Sequence, residues 1–441
     1  MKYHLSSIYL FCVCALHFSI SAQDTKSLES FDLEEERVIR ENPTIDGADD
    51  DIDIIVPSFI DEAANHIILN GNDWTSLKRA LDNSTHRPFS IVHIGDSHIQ
   101  ADIATGQTRM YMQYDYGNAG RGLVVPLKMS NTNQPIDYKI SSRKPWNAVK
   151  LMSQNWKKTM GFTGTSISPA TTLSEITFAT DDNEDYNPFS SLTVFHKGQF
   201  FVTAVTDSRG NLIPFTSTPS QDYTHIDLLN DVTSVTLIFE SAGDLTIFGA
   251  NLMGNRPGVF YHAIGNNGAT YDTYNRIGNV GKGISPLNPN LVIISLGANE
   301  AFGKFNESLF NKSIDKLVRN IRSANPSAKI LLVTPSECQR VKYTSVPVKS
   351  KGKRRRRTSK KRVGGYTINS NILPIRNAIL EYGKEHDIAV YDWYEVSGGA
   401  NSSAKWLADG LLSKDRVHLT YKGYHLQGYL LYQALKKELY N

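Results

Sequence analysis

Apolar positions fall into distinct patterns along the 441-residue chain. Short continuous runs of Val, Ile and Leu at Ser90–Ile94, Gly258–Ile264, Asn290–Leu296, Lys329–Thr334 and Ile388–Tyr391 predict five buried strands. Between them, helical spacing predicts helices over Ile60–Leu69, Trp74–Leu81, Ala101–Tyr114, Leu309–Ser323, Ile372–His386 and Tyr424–Leu439. Leu309, Ile314, Leu317, Val318 and Ile321 form one stripe of the fourth, and Pro374 sits in the first turn of the fifth. Strands interleaved with helices predict a parallel sheet in a three-layer α/β arrangement.

The pattern changes between Gly117 and Asn251. Short alternating runs at Glu175–Ala179, Ser191–His196, Phe200–Thr206, Thr224–Leu228, Ser234–Phe239 and Leu245–Gly249 are separated by turn residues such as Lys197-Gly198, Arg209-Gly210-Asn211 and Gly243-Asp244. Period-two strands at this spacing predict an antiparallel β-sandwich. The chain is therefore expected to hold an α/β domain over 58–116 and 252–441, interrupted by an inserted β-sandwich over 117–251.

Residues 1–22 read as a secretory signal: Lys2, a mostly apolar Ile8–Ile20, then Ser21-Ala22. The apolar stretch is too short for a membrane anchor, so no stable membrane insertion is expected after its removal. Cys12 and Cys14 lie inside it, which leaves Cys338 without an intramolecular disulfide partner or a cysteine-based metal site. An exported chain without disulfides predicts a bacterial periplasm or cell surface. The net charge of +3 conceals two opposed runs. Residues 24–53 carry twelve acids against three bases, and 23–57 reads as a disordered acidic leader. Residues 340–362 carry twelve Lys or Arg and no acid, within a basic loop read over 340–364.

The candidate chemistry lies at strand ends. Gly95-Asp96-Ser97-His98 follows the first strand, Asn267-Gly268 the second and Gly297-Ala298-Asn299-Glu300 the third, while Asp415-Arg416-Val417-His418 precedes the last helix. In open α/β sheets, segments beyond the carboxyl ends of strands converge on one crevice. A serine hydroxyl becomes a useful nucleophile when an imidazole takes its proton and a carboxylate orients that imidazole. Ser97, His418 and Asp415 supply these three groups. An oxyanion would need preorganised donors, and the N–H groups of Ser97 and Gly268 with the Asn299 amide are suited to it.

These four blocks, in this order, resemble those of the SGNH (GDSL-like) hydrolases. The resemblance implies a flavodoxin-like α/β/α fold and ester hydrolysis through Ser97, His418 and Asp415, with Ser97, Gly268 and Asn299 as oxyanion donors and no cofactor. Glu300 stands where the family commonly has Asp. The signal, the Gly-Asp-Ser-His block and the β-sandwich between the first two blocks resemble the bacterial peptidoglycan O-acetylesterases, whose insert is carbohydrate-binding-like. That implies an O-acetylated cell-wall glycan as substrate. Esterases for other polysaccharides such as xylan, or an O-acetyltransferase using the same acyl-enzyme, are the alternatives. A glycan-binding protein with a vestigial site is disfavoured by the complete set of Ser, His, Asp, Gly and Asn.

No His, Asp or Glu grouping has metal-ligand spacing, so no metal is expected. The basic segment 349–362 could suggest nucleic acid, but export argues against that partner and for an anionic cell-wall polymer, the acidic leader, or a solvated loop. Trp146, Trp156, Phe162 and Tyr186 could stack on sugars, although burial in the sandwich is the commoner fate of such residues.

Overall fold

The computed structural model describes residues 54–153, 160–180, 187–241, 243–349 and 358–440. The signal-like segment, the acidic leader up to Asp53, Trp156, Tyr186 and the centre of the basic segment, 350–357, lie outside the described residues.

Five parallel strands form the central sheet in the order Val259–Gly265, Phe89–Gly95, Leu291–Ser295, Lys329–Val333, Ala389–Tyr391. Their registers are regular, with Ile91 beside both Tyr261 and Leu291, and Ile293 beside Leu331. Alternate side chains divide the apolar interior in two. Val92, Ile94, Ile264, Val292, Ile294, Ile330 and Leu332 pack under the helices Tyr271–Ile277, Glu307–Ala324 and Ile372–Glu385. Phe89, Ile91, Tyr261, Leu291, Ile293 and Leu331 face the helices Thr75–Asp82, Ile103–Tyr116 and Tyr421–Tyr440. This is a three-layer α/β/α sandwich, the fold class expected. Burial on both faces is why its strands read as unbroken apolar runs rather than alternating ones.

Two antiparallel sheets occupy the middle of the chain. One joins Trp146–Lys150, Thr165–Pro169, Thr246–Met253, Phe189–Lys197, Tyr223–Val232 and Phe215–Pro219, with Gly122–Val124 also paired to Thr246–Met253. The other joins Tyr138–Ser141, Leu173–Thr180, Ser234–Glu240 and Phe201–Thr206. Val235, Leu237 and Phe239 point inward from one strand and meet Leu192, Val194 and Ile226 from the opposing sheet in a separate core. Phe162 is buried, but in the apolar layer of the central sheet, edge-on to Phe195. Trp146 is half-buried against Phe239.

A buried ionic cluster ties the inserted strands to the α/β layers. Arg109, on the helix packed against the sheet, and Arg121, at the start of the insert, both pair with Asp102 and with Asp137. Arg121 is 1% exposed, so each guanidinium depends on these carboxylates for compensation.

Two expected elements differ. Ile60–Leu69 is not a helix: Asp61 accepts the N–H groups of Ala63 and Ala64 in a tight turn, and Ile68 then forms an antiparallel bridge with Val390 at the sheet edge. The basic segment is not a loop at its base. Gln339–Lys349 pairs with Thr358–Ile368 as an antiparallel two-stranded ribbon, whose ladder satisfies its own backbone. Cys338, just before it, is a buried free thiol.

Candidate active site

The first strand ends at Gly95, where a side chain would collide with Ile99: an added Cβ would lie 2.2 Å from Ile99 Cγ1. Asp96 then caps a four-residue helical turn, Ser97–Gln100, by accepting the His98 N–H at 3.0 Å. This turn holds Ser97 at the carboxyl edge of the sheet with its side chain largely buried.

Ser97 Oγ lies 2.8 Å from His418 Nε2, and His418 Nδ1 lies 2.8 Å from Asp415 Oδ2. The other Asp415 oxygen accepts the backbone N–H groups of Val417 and His418 at 2.8 and 3.0 Å. Burial raises the Asp415 pKa, but the hydrogen bond and charge of His418 and these two N–H groups outweigh it and hold the carboxyl below its usual range. An ionised Asp415 requires a proton on His418 Nδ1, which leaves Nε2 free to accept from Ser97.

The loop that carries His418 is braced from outside. Arg416 adopts a left-handed backbone (φ +63°), and its carbonyl accepts the Gln339 N–H at 2.9 Å. Its guanidinium donates to Gln339 Oε1 at 2.9 Å and stacks over Tyr366 at 4.1 Å. Both partners belong to the base of the two-stranded ribbon. On the inner side, the His98 ring packs tilted against that of His418, with centroids 5.1 Å apart and 40° between the planes, and His98 Nδ1 lies 3.0 Å from the Tyr424 hydroxyl. Burial, with the nearby His418, lowers the His98 pKa to about 3, so it stays neutral.

The sheet edge also brings Gly268 and Asn299 to this place. Gly268 has φ +77°, a conformation L side chains rarely adopt. Its neighbour Asn267 donates its N–H to Gln100 Oε1 at 2.7 Å, which joins the glycine block to the serine turn. Asn299 Nδ2 donates to Asp96 Oδ2 at 3.1 Å and to Ala269 O at 3.0 Å, so its amide bridges the serine and glycine blocks.

Two carboxyls of these blocks are strongly shifted, and residues of the insert, which carry no sequence signal, reach the same edge. Burial raises the Asp96 pKa to about 6, opposed by the His98 N–H, His418 and Asn299. Burial likewise raises Glu300 to about 7, with the Tyr271 N–H opposing. Glu300 Oε1 accepts that N–H at 2.9 Å. From the insert, Thr132 and Asn133 accept from the Gln100 amide, and Asn133 Oδ1 also accepts from Asn267 Nδ2 at 2.9 Å. Among the described residues, no group of three His, Cys, Asp or Glu side chains is placed to hold a metal ion, and no helix is long and apolar enough to cross a membrane.

Residues 246–426 match the GDSL-like lipase/acylhydrolase family. The match contains Gly268, Asn299, Asp415 and His418 and begins after Ser97. No curated protein matches the chain in sequence. Among solved structures, the chain is similar to a peptidoglycan O-acetylesterase at 19% identity and a TM-score of 0.67, over 85% of this chain and 99% of that one. Weaker similarity extends to a lipase/acylhydrolase from Enterococcus faecalis, at 21% identity and a TM-score of 0.28, over 41% of this chain and 77% of that one. A family two carbohydrate esterase from Clostridium thermocellum has 13% identity and a TM-score of 0.29, over 68% and 99%. Residues 246–426 thus resemble a GDSL-like lipase/acylhydrolase, and the chain shares its fold with a solved peptidoglycan O-acetylesterase.

Proposed function

We propose that this is an exported serine esterase that removes O-acetyl groups from peptidoglycan, with Ser97, His418 and Asp415 as its catalytic triad. The observation that carries the catalytic reading is the unbroken line from Ser97 Oγ through His418 to Asp415, with both links at 2.8 Å. His418 Nε2 takes the serine proton as Oγ attacks the acetyl carbonyl. The charge that forms on the carbonyl oxygen is met by the N–H groups of Ser97 and Gly268 and by the Asn299 amide. His418 then protonates the departing sugar oxygen, leaving an acetyl-enzyme that water hydrolyses to acetate through the same base.

The substrate reading draws on the peptidoglycan O-acetylesterase that shares the fold. Similarity over 85% of this chain is more than the α/β segments alone provide, so it includes inserted strands as well. Export rests on the signal-like residues 1–22. The basic ribbon, beside the His418 loop, is suited to an anionic cell-wall polymer, since clustered Lys and Arg concentrate polyanions.

The test is acetate release from O-acetylated peptidoglycan and from acetylated xylan, for wild type and Ser97→Ala. Ser97-dependent release from peptidoglycan in preference to xylan is expected. Preference for xylan would move the substrate and keep the mechanism. Acetyl appearing on a glycan acceptor rather than as free acetate would make the chain a transferase.

A further inference from the structure

Apolar residues of the insert pack into the central layer, and one of them lies beside the glycine block. Lys150 ends the strand Trp146–Lys150, and the next residue, Leu151, is fully buried in the apolar layer of the central sheet with Ile264, Ala269 and Phe248. The Leu151 N–H donates to Gly164 O at 2.7 Å, and Asn266 Nδ2 donates to Thr163 O at 3.0 Å. The insert is thereby fastened to the residues on either side of Asn267-Gly268. Held between these anchors, Met152 lies over Gly268: a methyl group built on Gly268 would sit 3.5 Å from Met152 Cε and 3.9 Å from its Cγ.

Strand order decides which part of an ester would meet this thioether. Gly268 follows the edge strand Val259–Gly265, and Ser97 follows its neighbour. The His418 loop is bonded to Gln339, which follows the fourth strand, on the far side of Ser97. Collapse of a tetrahedral intermediate needs the leaving oxygen beside His418 Nε2. The alcohol therefore departs on the His418 side, which leaves the oxyanion and the acyl substituent toward Gly268, the oxyanion on the N–H donors and the acyl substituent against the wall beside them.

We propose that Met152, a residue of the insert, closes the acyl side of the site and limits the acyl group to acetyl size. The inference rests on Ser97 being the nucleophile. The insert then supplies a wall of the reaction site, and acyl selectivity depends on a domain outside the α/β sandwich. Met152 is 44% exposed, so shortening it opens space at the site without hollowing the core.

The experiment compares kcat/KM for p-nitrophenyl acetate, butyrate and hexanoate in wild type, Met152→Ala and Met152→Leu. One methylene in an apolar pocket changes discrimination by about 10–200-fold. Met152→Ala should raise the butyrate-to-acetate ratio by at least about tenfold on that scale, while Met152→Leu, of similar volume, stays near wild type. An active Met152→Ala enzyme whose ratio stays within about twofold of wild type, far below that scale, overturns this inference and leaves the esterase reading intact. Wild-type inactivity on all three esters overturns both.

Discussion

Asp96 and Asn299 are joined across adjacent strand ends, Oδ2 to Nδ2 at 3.1 Å, and the same amide nitrogen donates to Ala269 O at 3.0 Å. The amide is thus already oriented before any substrate arrives, and ordering it again would cost nothing at the moment of reaction. To serve an oxyanion it must share or release one of these two bonds, and the negative charge that develops on the substrate oxygen favours that exchange. Removal of the side chain in Asn299→Ala should therefore lower kcat by about 10²–10³. Steady-state kinetics on p-nitrophenyl acetate would show kcat and kcat/KM falling together. A change confined to KM would assign Asn299 to ground-state binding.

Asp415 fixes the tautomer of His418, so the charge matters as well as the shape. Asp415→Asn keeps the size and loses the charge. It should lower kcat by on the order of 10³–10⁴, with the fold unchanged by circular dichroism. A loss under about tenfold, well short of that range, would mean that His418 finds its orientation from His98 and the ribbon instead.

Glu300 controls a pH term in stability. Its folded pKa is raised to about 7 from 4.5, so it contributes stability that is fully present below about pH 4.5 and is lost as pH rises through about 7. Asp96, raised to about 6 from 3.8, acts in the same direction over a lower window. Asp415, whose pKa is depressed, has the opposite sign: its contribution is present above the usual carboxylate range and is lost as pH falls through its folded pKa. Glu300→Gln keeps the hydrogen bond from Tyr271 and cannot ionise. Chemical denaturation at pH 5 and pH 8 should show the variant losing less stability at the higher pH than wild type does, by up to roughly 3 kcal/mol. Parallel pH profiles would place the Glu300 carboxyl in water.

Arg121 is the most enclosed member of the cluster with Asp102, Arg109 and Asp137. Arg121→Ala leaves two carboxylates to one guanidinium inside the protein. A loss of about 3–5 kcal/mol is expected from urea unfolding. Arg121→Ala with Asp137→Ala should lose less than the sum of the single changes, because the partners share one compensation.

The five strands of the central sheet were legible because each is buried on both faces and stops at Gly or a polar residue. The hydrogen bond between Asp415 and His418 is legible because both lie on one short loop. Ile60–Leu69 was misread because its apolar spacing suits a helix equally well, while its actual partner, Val390, is more than 300 residues away. The ribbon reads as a loop in the sequence because the apolar residues described at its base, Val341, Tyr343, Tyr366 and Ile368, are exposed and mark no buried face. Trp146–Lys150, Thr165–Pro169 and Phe215–Pro219 are short strands with little apolar alternation, and Phe215–Pro219 ends at a proline that its edge position tolerates. Thr132, Asn133 and Met152 carried no signal at all, since spacing within an insert does not say which of its residues return to the edge it left.

The chain leaves the α/β layers at Gly117 and re-enters them at Val259, and the Val259 N–H is bonded to Gly117 O at 2.8 Å. A detour of about 140 residues thus begins and ends at one doorway. Growth or shrinkage of the detour would change the distance from Ser97 to its partners along the sequence without moving either in space. The segment that matches the family starts at residue 246, just before the doorway, and the serine stands on the other side of the detour. In proteins built this way, a nucleophile should be sought at the end of the neighbouring strand, however far back in the chain that strand lies.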